Sequence, residues 1–175
     1  MKYIGPDFCN ITTLLSDEEL LIQKTANEFV DKEFMPIVNE YYEKGSFPTE
    51  LIPKMGELGF FGATLPKKYG GSEISSTAYG LIMQELEKGD SGLRSVCSVQ
   101  GGLVMYPIFE YGTEEQKEKW LPQLAQGSAV GCFGLTESNH GSDPGGMTTK
   151  AVKDGDDWII NLSLIHISEP TRPVL

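Results

Sequence analysis

Two short stretches of this 175-residue chain combine residue types that can do chemistry. The first, Cys132 to Thr149, reads CFGLTESNHGSDPGGMTT. Small and β-branched residues alternate from Ala129 up to Thr136, which predicts a strand over 129–136. Beyond Glu137 the segment opens into a loop carrying Gly141, Ser142, Gly145 and Gly146. A loop so poor in side chains can turn backbone N–H groups and hydroxyls to one side, which suits a flat heterocycle and a pyrophosphate. Composition alone favours an ordinary glycine-rich turn between strands, so order and spacing must carry anything further.

The second stretch is GLRSVCSVQ, Gly92 to Gln100. Arg94 falls in the first turn of a helix that is otherwise uncharged, where the helix dipole disfavours a cation. A guanidinium beside a long apolar run calls for an anion. Spacing leaves two kinds of partner open: an anionic ligand, or a surface pairing with Asp90 or Glu87. Other reactive groups are scattered. Cys9, Cys97 and Cys132 are odd in number and lack metal or disulfide spacing, so they read as free, mostly buried thiols. His140 reads as a solvent-facing loop residue rather than a base, and no metal site is expected. The net charge of −11 argues against a nucleic-acid partner, whose binding is driven by clustered Lys and Arg.

The elements that position these groups are mostly helical. Ser16 with Glu19 forms a capping box, and Ile22, Ala26, Phe29, Val30 and Phe34 recur at helical spacing behind it. Pro36 should kink or restart that helix and Gly45 should end it. A second helix is expected from Thr49 to Gly59, and a third from Ser75 to Lys88 with Leu81, Ile82 and Leu86 inward and Glu85 and Glu87 outward. A fourth begins near Ser91 and carries the uncharged run Ser95 to Phe109, too short to span a membrane and expected to be a buried core helix. A fifth starts at a second capping box, Thr113 with Gln116, and ends at Gly127. Two further strands, Thr148 to Lys153 and Asp157 to Asn161, flank a turn at Asp154-Gly155-Asp156. The fold class is therefore α+β: an all-α helical domain over 1–128, then the start of a β domain over 129–161. Two or three strands bury no face by themselves.

The order FGLTE-x-x-x-GSD resembles the flavin-binding signature of the acyl-CoA dehydrogenase family, and the likeness extends from about Leu14 to Asn161, including YGTEEQKEKWLPQLAQG. It implies a helical domain followed by a β-barrel-like middle domain, with FAD as cofactor. It also implies a cofactor-binding set of Phe133, Gly134, Leu135, Thr136, Gly141 and Ser142. In this set Leu135 and Thr136 bond the flavin pyrimidine edge, Phe133 lines the isoalloxazine and Ser142 meets the pyrophosphate near the acyl-CoA. Ser138, where the family has proline, and His140, where a small residue is common, depart from the pattern.

LRSxxSVQxxLVMxPI resembles the glutaryl-CoA dehydrogenase branch, which implies that Arg94, Ser95 and Ser98 hold the distal carboxylate of the substrate. The implied reaction is α,β-dehydrogenation with decarboxylation to crotonyl-CoA, with electron-transfer flavoprotein or a similar acceptor and a homotetramer as the assembly. A general short-, medium- or branched-chain acyl-CoA dehydrogenase and a non-catalytic helical interaction module are the alternatives. The family's catalytic glutamate is expected beyond residue 175, so the chain itself is expected to be inactive and to bind flavin weakly or not at all. Residues 162–175, LSLIHISEPTRPVL, match neither the family nor a strand and read as foreign sequence, leaving His166 and Glu169 without a role. The N-terminus lacks a presequence pattern, an expectation of cytoplasmic location, or of the mitochondrial matrix after processing.

Overall fold

The structure is a computed structural model that describes residues 8–165. The readings placed on the leader residues 1–7, and on His166, Glu169, Pro170 and Pro173, lie outside the described residues.

Helix α1 (Asp17–Phe29) starts where the capping box requires. The Glu19 N–H donates to Ser16 Oγ at 3.3 Å and the Ser16 N–H donates to Glu19 Oε2 at 3.0 Å. Glu19 has a second use: Ser75 Oγ, at the N-cap of α4 (Ser76–Gly89), donates to its Oε1 at 2.9 Å. These contacts bring the two N-termini together, and further along the Gln23 and Asn27 amides of α1 donate to Glu85 of α4 at 3.0 and 2.9 Å. The helices therefore run side by side in the same direction. Glu85 points inward at 7% exposure, against the expectation of an outward face. Its position follows the helical period, since Ala78, Ile82 and Glu85 stand at i, i+4 and i+7 on the buried side; its charge is met by amides and by Lys88 at 3.4 Å.

Beyond α1 the helix widens into a π-segment (Val30–Phe34), then restarts as α2 (Val38–Lys44), which ends at Gly45. A second π-segment (Val99–Met105) joins α5 (Ser91–Ser98) to α6 (Tyr106–Tyr111). Each π-segment ends two residues before a proline, Pro36 or Pro107. Proline has no N–H to give the i−4 carbonyl, and the preceding amides reach back five residues instead: Met35 to Val30 at 2.9 Å, and Tyr106 to Gly101. The uncharged run is thus three helical pieces. Only one side of it is buried, with Cys97, Gln100 and Met105 inward and Leu103 and Tyr106 exposed, so the expected all-round core helix is corrected to an amphipathic one.

Helix α3 (Leu51–Glu57) and the segment after it supply much of the core. Phe60 meets Phe29 edge-on at 5.6 Å between ring centroids, with Met55, Phe61, Leu86, Leu93 and Leu121 packed in the same cluster. Helix α7 (Glu114–Ala125) opens on the second capping box, Gln116 N–H to Thr113 Oγ1 at 3.3 Å and the Thr113 N–H to Gln116 Oε1 at 2.9 Å.

The chain divides into two compact units between Cys132 and Phe133. In the second, β1 (Lys150–Asp154) and β2 (Asp157–Asn161) pair antiparallel, with Val152 opposite Ile159 and Lys153 opposite Trp158. Gly155 has φ 60° while Asp156 does not enter the positive region, the pattern of a type II′ turn. The expected strand over 129–136 forms no ladder, because no strand among the described residues lies beside it. Its far end makes one-residue bridges instead: Glu137 with Leu164, supported by the Ile165 N–H donating to the Thr136 carbonyl at 2.9 Å. Residues 164–165, read from the sequence as foreign to any strand, therefore pair with the motif. Among the described residues no helix is long and apolar enough to cross a membrane.

Candidate functional site

The arginine constellation is built at a helix–helix joint. Asp90 both ends α4 and caps α5, and its Oδ1 accepts the Gly92 and Leu93 N–H groups at 2.7 and 3.3 Å. Arg94, one turn on, pairs with Glu87, Nε to Oε2 at 2.7 Å. Of the two protein carboxylates the sequence left open, Glu87 is the one that pairs with it. The Arg94 hydrogen bond, and a second from Ser91 Oγ, hold the Glu87 carboxyl below its usual range.

Arg94 Nη1 also donates to Ser98 Oγ at 3.2 Å, and Ser98 Oγ donates to the Ser95 carbonyl at 3.2 Å. Arg94, Ser95 and Ser98 thus lie together on successive turns, with Arg94 at 35% side-chain exposure. A guanidinium carries five donors. Nε and Nη1 each have one partner, and Nη2 has no hydrogen bond among the described residues, so N–H donors on Nη2 remain unengaged there.

The second unit holds the glycine-rich motif. Phe133, Gly134 and Ser142 are exposed, and Leu135 and Thr136 are half-buried. Among the described residues no backbone hydrogen bond engages Cys132, Phe133, Gly134 or Leu135. At Thr136 the carbonyl is taken by Ile165, and its methyl lies beside Gly141. The structure therefore brings Thr136 and Gly141 together, while Phe133 and Ser142 are exposed.

Two residues matter here whose role the sequence did not reveal. Glu137 is buried at 2% exposure and accepts four hydrogen bonds from Thr148 and Thr149. These donors hold its carboxyl down at about 2, the Thr149 hydroxyl first among them. His140 is half-buried, its ring against Gly146, which corrects the solvent-facing expectation. The remaining one is Gln100 in the first unit, buried at 2% exposure, whose amide serves three backbone groups. The TE-x(10)-TT spacing was a usable signal for the first; nothing local distinguishes Gln100 from a solvent-facing amide.

The thiols also differ from expectation. Cys97 is buried and donates to the Phe60 carbonyl at 3.3 Å, and burial pushes its thiol up to about 12. Cys9 and Cys132 are exposed, so most of the thiols are not buried. Among the described residues no cluster of His, Cys, Asp and Glu has the makings of a metal site.

Comparison with known proteins places this architecture. Over 149 residues the chain is 41% identical to the Bacillus subtilis protein named "Probable acyl-CoA dehydrogenase YngJ", covering 84% of this chain and 39% of that one. It is 40% identical over 156 residues to the short-chain specific acyl-CoA dehydrogenase of Clostridium acetobutylicum, covering 88% and 41%. A crystal structure of glutaryl-CoA dehydrogenase from Mycobacterium smegmatis matches at a TM-score of 0.83 and 49% identity, over 88% of this chain and 40% of that one. A structure of a glutaryl-CoA dehydrogenase from Mycobacterium smegmatis in complex with FADH2 matches at 0.83 and 48%, over 87% and 39%. The chain thus spans about two fifths of the length of these relatives. Residues 16–128 match the acyl-CoA dehydrogenase N-terminal domain, and the chain belongs to that family.

Proposed function

We propose that this chain is part of an FAD-dependent acyl-CoA dehydrogenase that oxidises glutaryl-CoA between its α and β carbons and releases the distal carboxylate as CO2, giving crotonyl-CoA. The observation that carries the dicarboxylate reading is the guanidinium of Arg94, oriented by Glu87 through Nε and by Ser98 through Nη1, with Nη2 unengaged among the described residues. A planar fork meets a carboxylate through two parallel charge-assisted hydrogen bonds, and Ser95 and Ser98 offer hydroxyls beside it. Likeness to the M. smegmatis glutaryl-CoA dehydrogenase supports this choice; likeness to a short-chain specific enzyme supports the alternative, a general acyl-CoA dehydrogenase.

The second unit fits a flavin through its side chains: the exposed Phe133 ring, the Thr136 hydroxyl and the exposed Ser142 hydroxyl. In this reading Phe133, Gly134, Leu135 and Thr136 border the ring system, and Gly141 and Ser142 meet the pyrophosphate. Because the Thr136 carbonyl is paired with Ile165, Thr136 contributes through its N–H or hydroxyl. When bound, the flavin supplies the hydride acceptor for the β carbon. This chain's residues hold cofactor and substrate, and the α-proton goes to a carboxylate from sequence beyond residue 175. Electrons leave to electron-transfer flavoprotein or a similar acceptor, and the working assembly is a homotetramer.

The test is a chimera in which residues 16–161 replace the matching segment of the M. smegmatis enzyme. It should be yellow and turn over glutaryl-CoA. Losing one bidentate pair, about 2–3 kcal/mol, should make Arg94→Ala about 100-fold poorer in kcat/KM for glutaryl-CoA while butyryl-CoA oxidation is kept. Equal effects on both substrates would sink the dicarboxylate reading, and a folded, colourless chimera would sink the flavin reading.

A further inference from the structure

The motif loop is closed at its base by a single buried side chain. Glu137 stands before residues 138–147 and Thr148-Thr149 stand after them. Oε2 accepts the Thr148 N–H at 2.7 Å and the Thr148 hydroxyl at 2.8 Å. Oε1 accepts the Thr149 N–H and the Thr149 hydroxyl, both at 2.6 Å. Every partner is a donor, so an ionised carboxylate, with acceptor capacity on both oxygens, is the side chain that satisfies all four.

The consequence is visible at β1. Its ladder begins at Lys150 rather than at Thr148, as the alternation led one to expect, because the amides of Thr148 and Thr149 turn to Glu137. Inside the loop, Glu137 and His140 exchange backbone hydrogen bonds at 3.3 and 3.1 Å, and Pro144–Gly146 form a 3-10 turn. The His140 ring lies so close to Gly146 that a Cβ there would meet ring atoms at 2.6 Å. Closing a loop between fixed ends removes much of its conformational freedom.

We propose that Glu137 is a positioning residue: its carboxylate clamps both ends of the 138–147 loop, so that Gly141 and Ser142 are held in one conformation before the cofactor arrives. The second half of this statement rests on the flavin reading given above. Pre-organisation lowers the ordering cost of binding, so a clamp of this kind acts on cofactor affinity without touching the cofactor.

The chimera described above, stripped of flavin, is compared with its Glu137→Gln variant by residue-resolved amide hydrogen exchange, with and without excess FAD. Glutamine keeps the size and one acceptor oxygen but sets an NH2 against a backbone N–H, leaving Thr148 or Thr149 without its partner. Exchange at these two amides should rise at least about tenfold, and Glu137→Asp, which keeps both acceptors on a shorter stem, should restore part of the protection. FAD should slow exchange across 133–142 in the parent chimera and do so less in Glu137→Gln. Unchanged exchange at Thr148 and Thr149 overturns the clamp. Faster exchange with equal FAD protection in both chains overturns the positioning role. Faster exchange with no FAD protection in either chain upholds the clamp and places the failure on the flavin reading.

Discussion

Gln100 tests the packing of the helical unit more sharply than any apolar residue. Its Nε2 donates to the carbonyls of Leu124 at 2.9 Å and Ala129 at 2.8 Å, and its Oε1 accepts the Gly131 N–H at 3.0 Å. One amide thereby ties the π-segment after α5 to the end of α7 and to the strap 129–131. Gln100→Leu keeps the volume and removes all three bonds. The Leu124 carbonyl retains the Gly127 N–H at 3.2 Å, whereas the Ala129 carbonyl and the Gly131 amide are left with no replacement among the described residues. At about 1 kcal/mol per lost hydrogen bond, with some return from the added apolar burial, the loss should be about 2–3 kcal/mol.

Gln100→Glu should be worse at pH 7, because a buried carboxylate would then face two carbonyl oxygens while keeping only the Gly131 contact. The folded-state pKa of such a glutamate lies above its unfolded value. The variant should therefore be most stable below the unfolded pKa and should weaken as the pH rises through the folded one. Urea unfolding followed by far-ultraviolet circular dichroism gives both results from the midpoint at constant slope. A leucine variant within about 0.5 kcal/mol of the native chain, or a glutamate variant no worse than leucine at pH 7, would refute the reasoning.

Glu85→Leu should cost about 2–3 kcal/mol in the same assay, since it strands the amides of Gln23 and Asn27 between α1 and α4; a neutral result would mean that those amides find other partners. Native-state labelling with a thiol reagent should modify Cys9 and Cys132 quickly and Cys97 only on unfolding, and rapid labelling of Cys97 would contradict its burial. The Glu137 carboxyl is depressed in the folded chain, so its contribution is present above the unfolded value near 4.5 and is lost as the pH falls towards about 2. Protection of the Thr148 and Thr149 amides, corrected for intrinsic rates, should accordingly be flat from pH 7 to about 5; a decline across that range would mean that some other group holds the loop.

What the sequence determined by itself was whatever neighbouring residues decide among themselves. Ser16 with Glu19 and Thr113 with Gln116 start α1 and α7 because an N-cap bond spans only three residues. Pro36 interrupts the first helix because the missing N–H is a local defect, and Gly155 turns the hairpin for the same kind of local reason. The order of motif residues also sufficed for the family, because the match needs no coordinates.

Tertiary structure decided the partners of polar groups far apart in the chain. Glu85 looked like helix surface until the amides of α1 arrived beside it, and Gln100 looked unremarkable until three backbone groups converged on it. The strand expected over 129–136 shows the same dependence from the other side: alternation marks a segment able to pair, but a ladder needs a neighbour. For Arg94 the sequence named the possible partners, and the fold of the α4–α5 joint selected Glu87, because only the path of the backbone there decides which carboxylate comes within reach of the guanidinium.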